Sequence, residues 1–219
     1  WNRGLMREIG RAITDDMTRY GYNGLCAPGV NLHRNPLCGR NFEYFSEDPY
    51  LSAEMAAYEI IGIQNFADGT PSGKYAILKH FACNNSEKNR FEGSSDLSER
   101  CARELYLRVF EYTVRKGKPM SLMTSYNRIN GVFAAANSEL NDGICREEWG
   151  YDGWIMTDWD VHASVAECIK GGSDTVMPGT YVSAAELAEQ GVTREVAEKR
   201  AASLVRHLSK TENYKETKK

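Results

Sequence analysis

Five short apolar runs, at 24–30, 75–81, 120–126, 153–158 and 174–177, alternate along this chain with longer stretches of helical periodicity. Runs that are apolar throughout, rather than at every second residue, read as strands buried on both faces, and such strands need helices on either side. The alternation therefore specifies an α/β fold built on a parallel sheet. Either a closed barrel or an open doubly wound sheet satisfies it. No Gly-x-Gly-x-x-Gly follows any run, so the dinucleotide-binding version of the open sheet loses its main support. Set against the eight strands of a barrel, about five are present. The others would precede Trp1 or follow Met177.

The intervening stretches carry start and stop signals. From 2 to 20, Leu5, Ile9, Ile13 and Met17 recur every four residues as one apolar stripe. Before a second helix, Ser46 or Asp48 can cap and Pro49 fits the first turn. A third helix starts at Asp96 or Ser98, carries Leu105, Val109 and Tyr112, and ends near Lys116-Gly117. A fourth covers 138–148, a fifth covers 161–170 before Gly171-Gly172, and a last one covers 194–210. The tail at 215–219 is charged and expected to fray.

The totals exclude several classes of function. A net charge of −3 supplies no basic field for nucleic acid or an anionic membrane. No apolar run approaches the roughly 20 residues of a membrane helix. Six scattered cysteines without a Cys-x-x-Cys pair disfavour a zinc cluster; free thiols and a reducing, cytoplasmic setting are expected. The chain opens Trp1-Asn2-Arg3 without an initiator Met or a signal peptide, so a fragment is expected. Asn84-Asn85-Ser86 is a formal glycan acceptor, but it adjoins a strand end that is read next as part of a pocket.

In a parallel barrel the active site gathers at the C-terminal ends of the strands. The first run passes into Asn31-Leu32-His33-Arg34-Asn35-Pro36-Leu37-Cys38-Gly39-Arg40-Asn41-Phe42-Glu43, and the second ends Lys79-His80-Phe81. The third ends Ser125-Tyr126-Asn127-Arg128, the fourth Thr157-Asp158-Trp159-Asp160, and the fifth Met177-Pro178-Gly179. Packing alone would not favour one end, so the asymmetry points to a ligand pocket. Its chemistry suits a sugar. Arg40, Lys79 and His80 can donate to ring hydroxyls, and Trp159 offers a flat apolar face. Asp158 is a strand-end carboxylate able to attack an anomeric carbon. Positive charge on Arg40 or Lys79 is expected to keep it ionised. No metal and no organic cofactor is called for.

The run Gly39-Arg40-Asn41-Phe42-Glu43-Tyr44-Phe45-Ser46-Glu47-Asp48-Pro49, then Lys79-His80-Phe81, Met123-Thr124-Ser125-Tyr126-Asn127 and Thr157-Asp158-Trp159, resembles the family-3 glycoside hydrolases of the β-glucosidase type in order and spacing. The resemblance covers Trp1 to about Gly179 and returns at the last helix. It implies an incomplete TIM-like (β/α)8 barrel over 1–210, followed by the tail at 211–219. It implies Asp158 as the nucleophile and Trp159 as an aromatic platform. Arg40, Lys79 and His80 become ligands of the innermost sugar, Tyr126 a neighbour of the nucleophile, and Met123 part of the same wall. Two departures matter. The family's first strand carries a sugar-binding aspartate that would lie before Trp1, and its acid/base usually comes from a second, α/β sandwich domain. The N-acetylglucosaminidase branch reads Lys-His-Phe-Pro-Gly-His-Gly where this chain has Lys79-His80-Phe81-Ala82-Cys83-Asn84, and is disfavoured.

Plainer explanations suit several other residues. Glu47 and Asp48 before Pro49 suit a helix cap better than a catalytic pair. His33 and Arg34 suit loop supports, and Trp149 and Trp154 core aromatics. His162, placed on the helix at 161–170 without a histidine at i+4, is a poor metal ligand. The expectation is a retaining exo-β-glycosidase barrel acting on β-glucosides or short oligosaccharides, its acid/base supplied from outside this chain. The rivals are a non-catalytic sugar-binding barrel fragment and an aldolase-type barrel enzyme using Lys79.

Overall fold

The computed structural model describes residues 1–179, 181–211 and 214. Its main sheet has five parallel strands: β1 Gly24–Leu25, β2 Tyr75–Phe81, β3 Ser121–Thr124, β4 Trp154–Trp159 and β5 Thr175–Met177. They lie side by side in chain order. An open doubly wound sheet reverses its order at a switch point. This sheet does not reverse, and it curls as half of a barrel. Pairing of β1 with β2 continues beyond Leu25: the Lys79 N–H donates to the Pro28 carbonyl at 3.0 Å, and the Val30 N–H to the Lys79 carbonyl at 2.8 Å.

One side of the sheet is closed by helices. Ala76, Leu78, Phe81, Leu122 and Ile155 join Ala53, Ala56, Ile60 and Ile63 of the helix Pro49–Gln64, and Val109, Phe110 and Val114 of the helix Arg108–Gly117, in one core. Burying a side chain of the larger kinds stabilises by about 1.5–3 kcal/mol. The β2–β3 ladder is regular at Ile77–Ser121 and Leu78–Leu122, then shifts before Phe81–Thr124. Leu78 and Phe81 both face the helices, so the shift releases two successive residues, Lys79 and His80, to the opposite side. A ladder irregularity re-aims side chains in this way. A second shift, between Met156 and Trp159, falls at Asp158.

The first helix, Arg3–Arg19, begins where the Leu5 N–H donates to Asn2 Oδ1 at 3.1 Å. Its seat differs from the expected stripe. Gly10, Thr14 and Met17 are buried, whereas Leu5 and Ile9 are 52% and 40% exposed. Gly10 lets the backbones approach: a Cβ there would stand 2.4 Å from the Glu59 carbonyl oxygen, and one on Gly62 would stand 2.2 Å from that of Arg7. Beside this crossing, the buried Glu54 carboxylate binds Arg3, Tyr112 and Lys116, tying three helices together. Asp48 is the cap of Pro49–Gln64, accepting from the Leu51 N–H at 2.6 Å.

Elsewhere the boundaries shift for local reasons. Ser98 caps a turn at Glu99–Cys101, which passes through the π-wound stretch Ala102–Tyr106 into Arg108–Gly117. Glu139–Glu148 is π-wound too. The helix expected over 161–170 starts at Val165, where Ser164 and Glu167 form a capping box. His162 therefore stands on a loop. The last helix is Arg194–Leu208, and a short helix at Ala184–Glu189 precedes it. Ser94–Ser95, Arg128–Ile129 and Val132–Phe133 make a small three-stranded sheet. The charged stretch at 215–219 lies outside the described residues.

Candidate active site

The loop after β1 is locked onto the end of β2. Asn31 Nδ2 donates to the His80 carbonyl at 3.0 Å, and the His80 N–H donates to Asn31 Oδ1 at 2.9 Å, so one side chain satisfies both backbone groups of His80. His33 bonds the Asn41 carbonyl at 3.0 Å, and the Arg34 guanidinium lies over the Tyr106 ring at 5.6 Å. Both side chains therefore brace the loop. The brace brings Arg40, Glu43 and Tyr44 over the strand ends.

Glu43 is the hub of the charges gathered there. It binds Arg40 and, through Oε2, Lys79 Nζ at 2.8 Å. Burial pushes its carboxyl up, but Arg40 and Lys79 together hold it below the usual carboxylate range. Arg40 Nη2 also reaches His80 Nε2 at 2.7 Å. A guanidinium only donates, so Nε2 must be the unprotonated nitrogen. The proton then sits on Nδ1, which lies 3.2 Å from the Tyr44 hydroxyl and 3.4 Å from Asn31 Oδ1. Burial first, and then Arg40, Lys79 and Arg90, push His80 protonation well below the ordinary histidine range. His80 is a neutral ring.

Asp158, 8% exposed, stands at the end of β4. Its Oδ1 accepts from the Trp159 N–H at 2.7 Å. Its Oδ2 is buried with no hydrogen-bond partner, and the nearest ring nitrogen, His80 Nε2 at 3.7 Å, has no proton to give. Burial lifts the Asp158 carboxyl above the usual range, against the opposing pull of the Trp159 N–H, the Tyr126 hydroxyl, Arg40 and Lys79. Arg40 and Lys79, expected to keep this carboxylate ionised, do pull its proton affinity down, but burial is the larger influence. Both cations also bind Glu43. Tyr126, 7% exposed, is pushed up to about 12 by burial and then by Asp158.

Arg40, Lys79, His80, Tyr126 and Asp158 therefore form one cluster. Trp159 adjoins it through its backbone and is 55% exposed. Met123 is buried on β3 opposite Met156 of β4, and makes no polar contact with the cluster. Four further residues belong to the cluster. Glu43, Asn31 and Tyr44 come from the loop after β1, and Glu43 carries the one readable signal, an acid three residues beyond Arg40. Arg90, whose guanidinium lies 4.7 Å from the Tyr126 ring centre, sits in the loop after β2, where no periodicity marks it. Glu47 is not part of the set, and Asp48 caps a helix. Trp149 packs on Phe81 and Trp154 on Tyr75, as core aromatics do.

A family model described as the glycosyl hydrolase family 3 N-terminal domain matches residues 1–205. Thermostable beta-glucosidase B of Acetivibrio thermocellus is 39% identical over 181 residues, 83% of this chain and 23% of that protein. An exo-alpha-(1->6)-L-arabinopyranosidase of Bifidobacterium longum is 40% identical over 181 residues, again 83% and 23%. Among solved structures, beta-glucosidase 3B of Thermotoga neapolitana in complex with alpha-D-glucose superposes with a TM-score of 0.90 at 39% identity, covering 99% of this chain and 31% of that one. The chain spans about a quarter of the length of these curated relatives.

Proposed function

This chain belongs to the glycosyl hydrolase family 3 N-terminal domains, and from that premise we propose that it is the nucleophile-bearing part of a retaining exo-β-glycosidase acting on β-glucosides or short oligosaccharides. The observation that carries the reading is Asp158 Oδ2, a buried carboxylate oxygen with a free lone pair, beside a cluster of donors. Arg40, Lys79 and His80 hold hydroxyls of the innermost sugar, with Tyr126 and Met123 along the wall and Trp159 against the ring face. Asp158 Oδ2 attacks the anomeric carbon as the glycosidic C–O bond breaks, and the leaving oxygen takes a proton from a general acid. Water then attacks the same carbon from the face the leaving group vacated. It displaces Asp158 and returns its proton to the conjugate base of that acid.

The acid comes from outside the residues of this cluster. Glu43 is disqualified because two cations hold it ionised. In a retaining pair the carboxyls stand about 5–5.5 Å apart, so the donor closes over the open concave side, as a second, α/β sandwich domain or another chain could. Lys79 is engaged as a donor to Glu43, whereas a Schiff-base amine needs its lone pair free, so the aldolase reading loses support.

A 2-fluoro-glycoside that traps the glycosyl-enzyme should label Asp158 in the complete protein. A label on Glu43, Glu47 or Asp48, or no label at all, would sink the assignment; the latter would favour a non-catalytic sugar-binding chain. The missing donor has its own assay. General acid catalysis contributes about 10²–10⁴ in rate, so the 219-residue chain alone should leave cellobiose intact while retaining at most slow release from an aryl glucoside. Cellobiose turnover near the rate of the complete protein would show that the chain carries its own acid.

A further inference from the structure

The loop after β2 and the loop after β4 are joined by a contact that the proposed chemistry does not use. His162 Nδ1 hydrogen-bonds the Glu92 carboxylate. Its ring also lies on Phe91, with centroids 5.3 Å apart and planes 21° apart. Phe91 packs on Tyr126 at 4.5 Å. The Arg90 guanidinium covers both rings, 5.0 Å from the centre of Phe91 and 4.7 Å from that of Tyr126. Tyr126 is the phenol that acts on Asp158. Glu92 is held from its other side by Arg128 Nη2 at 3.2 Å.

Resting on the glycosidase reading, we propose that His162 is a positioning residue: with Glu92 it clasps the loop after β2 to the loop after β4, and so holds Phe91 and Arg90 on Tyr126 and Tyr126 against Asp158. A solvent-exposed polar contact contributes little to global stability, and both partners here are about half exposed. Stability is therefore not what this contact supplies. The imidazole is fixed twice, by a directed bond and by a stack, so both the position and the plane of its ring are set. The segment 84–93 has only turns and no ladder of its own, and tertiary contacts alone can order it. The chain of contacts ends at the reacting carboxylate, where small displacements have large kinetic effects.

The test uses the full-length protein with His162→Ala, Glu92→Ala, Tyr126→Phe and the double variant of His162→Ala with Tyr126→Phe. His162→Ala and Glu92→Ala should speed amide hydrogen exchange over 84–93 several-fold and leave the helix Pro49–Gln64 unchanged. Each should lower kcat/KM on a nitrophenyl glycoside about tenfold, mainly through kcat. Because His162 acts through Tyr126, its removal should add little once Tyr126 is Phe. Unchanged exchange over 84–93, or losses that multiply in full in the double variant, would overturn the clasp. The unsubstituted protein separates the two readings. If it cleaves no glycoside, the hydrolase reading falls and the exchange measurement alone decides the clasp.

Discussion

Replacing Asp158 by Asn should stabilise the fold while abolishing turnover. The bond from the Trp159 N–H to Oδ1, at 2.7 Å, survives the change because an amide oxygen still accepts it. A bond to a charged acceptor is roughly twice as strong as a neutral one, so about 1 kcal/mol is lost there. Against this stands Oδ2, buried and unpartnered beside the unprotonated Nε2 of His80. Stranding such an oxygen costs about 1–3 kcal/mol, and neutralising the group removes most of that. The net gain is about 1 kcal/mol, or about 2–4 °C in Tm for a chain of this size. The gain should depend on pH in a definite direction. Burial raises the folded carboxyl above its unfolded value, so the destabilisation is full above the folded pKa. It fades as pH falls through that value, and it is gone once both states are protonated. Thermal melts of wild type and Asp158→Asn should therefore differ at neutral pH and converge in acid. A variant less stable than wild type at neutral pH, or one that still cleaves glycosides, would refute the electrostatic account of this carboxylate.

Two other substitutions probe the supports. Glu43→Gln frees Arg40 and Lys79 from their shared partner and leaves more positive charge facing Asp158, which lowers its proton affinity. The acidic limb of kcat/KM should move to lower pH, and kcat/KM at the optimum should drop about tenfold as the two cations lose their fixed positions; a limb that moves up in pH would show that Glu43 is not the hub. Gly62→Ala gains up to about 1 kcal/mol of helix propensity. It also places a Cβ 2.2 Å from the Arg7 carbonyl oxygen, and overpacking of that kind costs about 1–3 kcal/mol or more. Urea unfolding should show a net loss of about 2 kcal/mol, and a net gain would mean that the helix Arg3–Arg19 is not seated on Pro49–Gln64 as described.

The strand–helix alternation is readable because parallel strands have no solvent face, so Tyr75–Phe81 and the stretch ending at Asp158 stand out as apolar runs with polar C-terminal ends. Helix starts were readable where a cap and a helix former adjoin, as at Asp48-Pro49. The helix expected from 161 begins only at Val165, because the capping box of Ser164 and Glu167 sets its start and Asp160 takes a φ of 56°. Leu5 and Ile9 mislead because spacing finds an apolar stripe without saying which face is seated. The face here is chosen by Gly10 and Gly62, where two backbones meet. Strands of two residues, such as Ser94–Ser95, are too short to show a period.

At the site, the membership of the cluster and its charge state have different origins. A barrel brings its strand ends together whatever they carry, so Arg40, Lys79, His80 and Asp158 could be grouped by position along the chain alone. Their ionisation depends on which partner each finds across loops, and a linear reading has no access to that. Arg40 and Lys79 look like cations devoted to Asp158, and only the structure shows that each also binds Glu43. The same placement answers a second question. A carboxyl held ionised by an arginine and a lysine is a poor proton donor, so Glu43 is ill suited to act as the catalytic partner of the proposed nucleophile. Burial is what makes Asp158 hold its proton more tightly, and the two cations on Glu43 support the proposal that the proton for the leaving group comes from elsewhere.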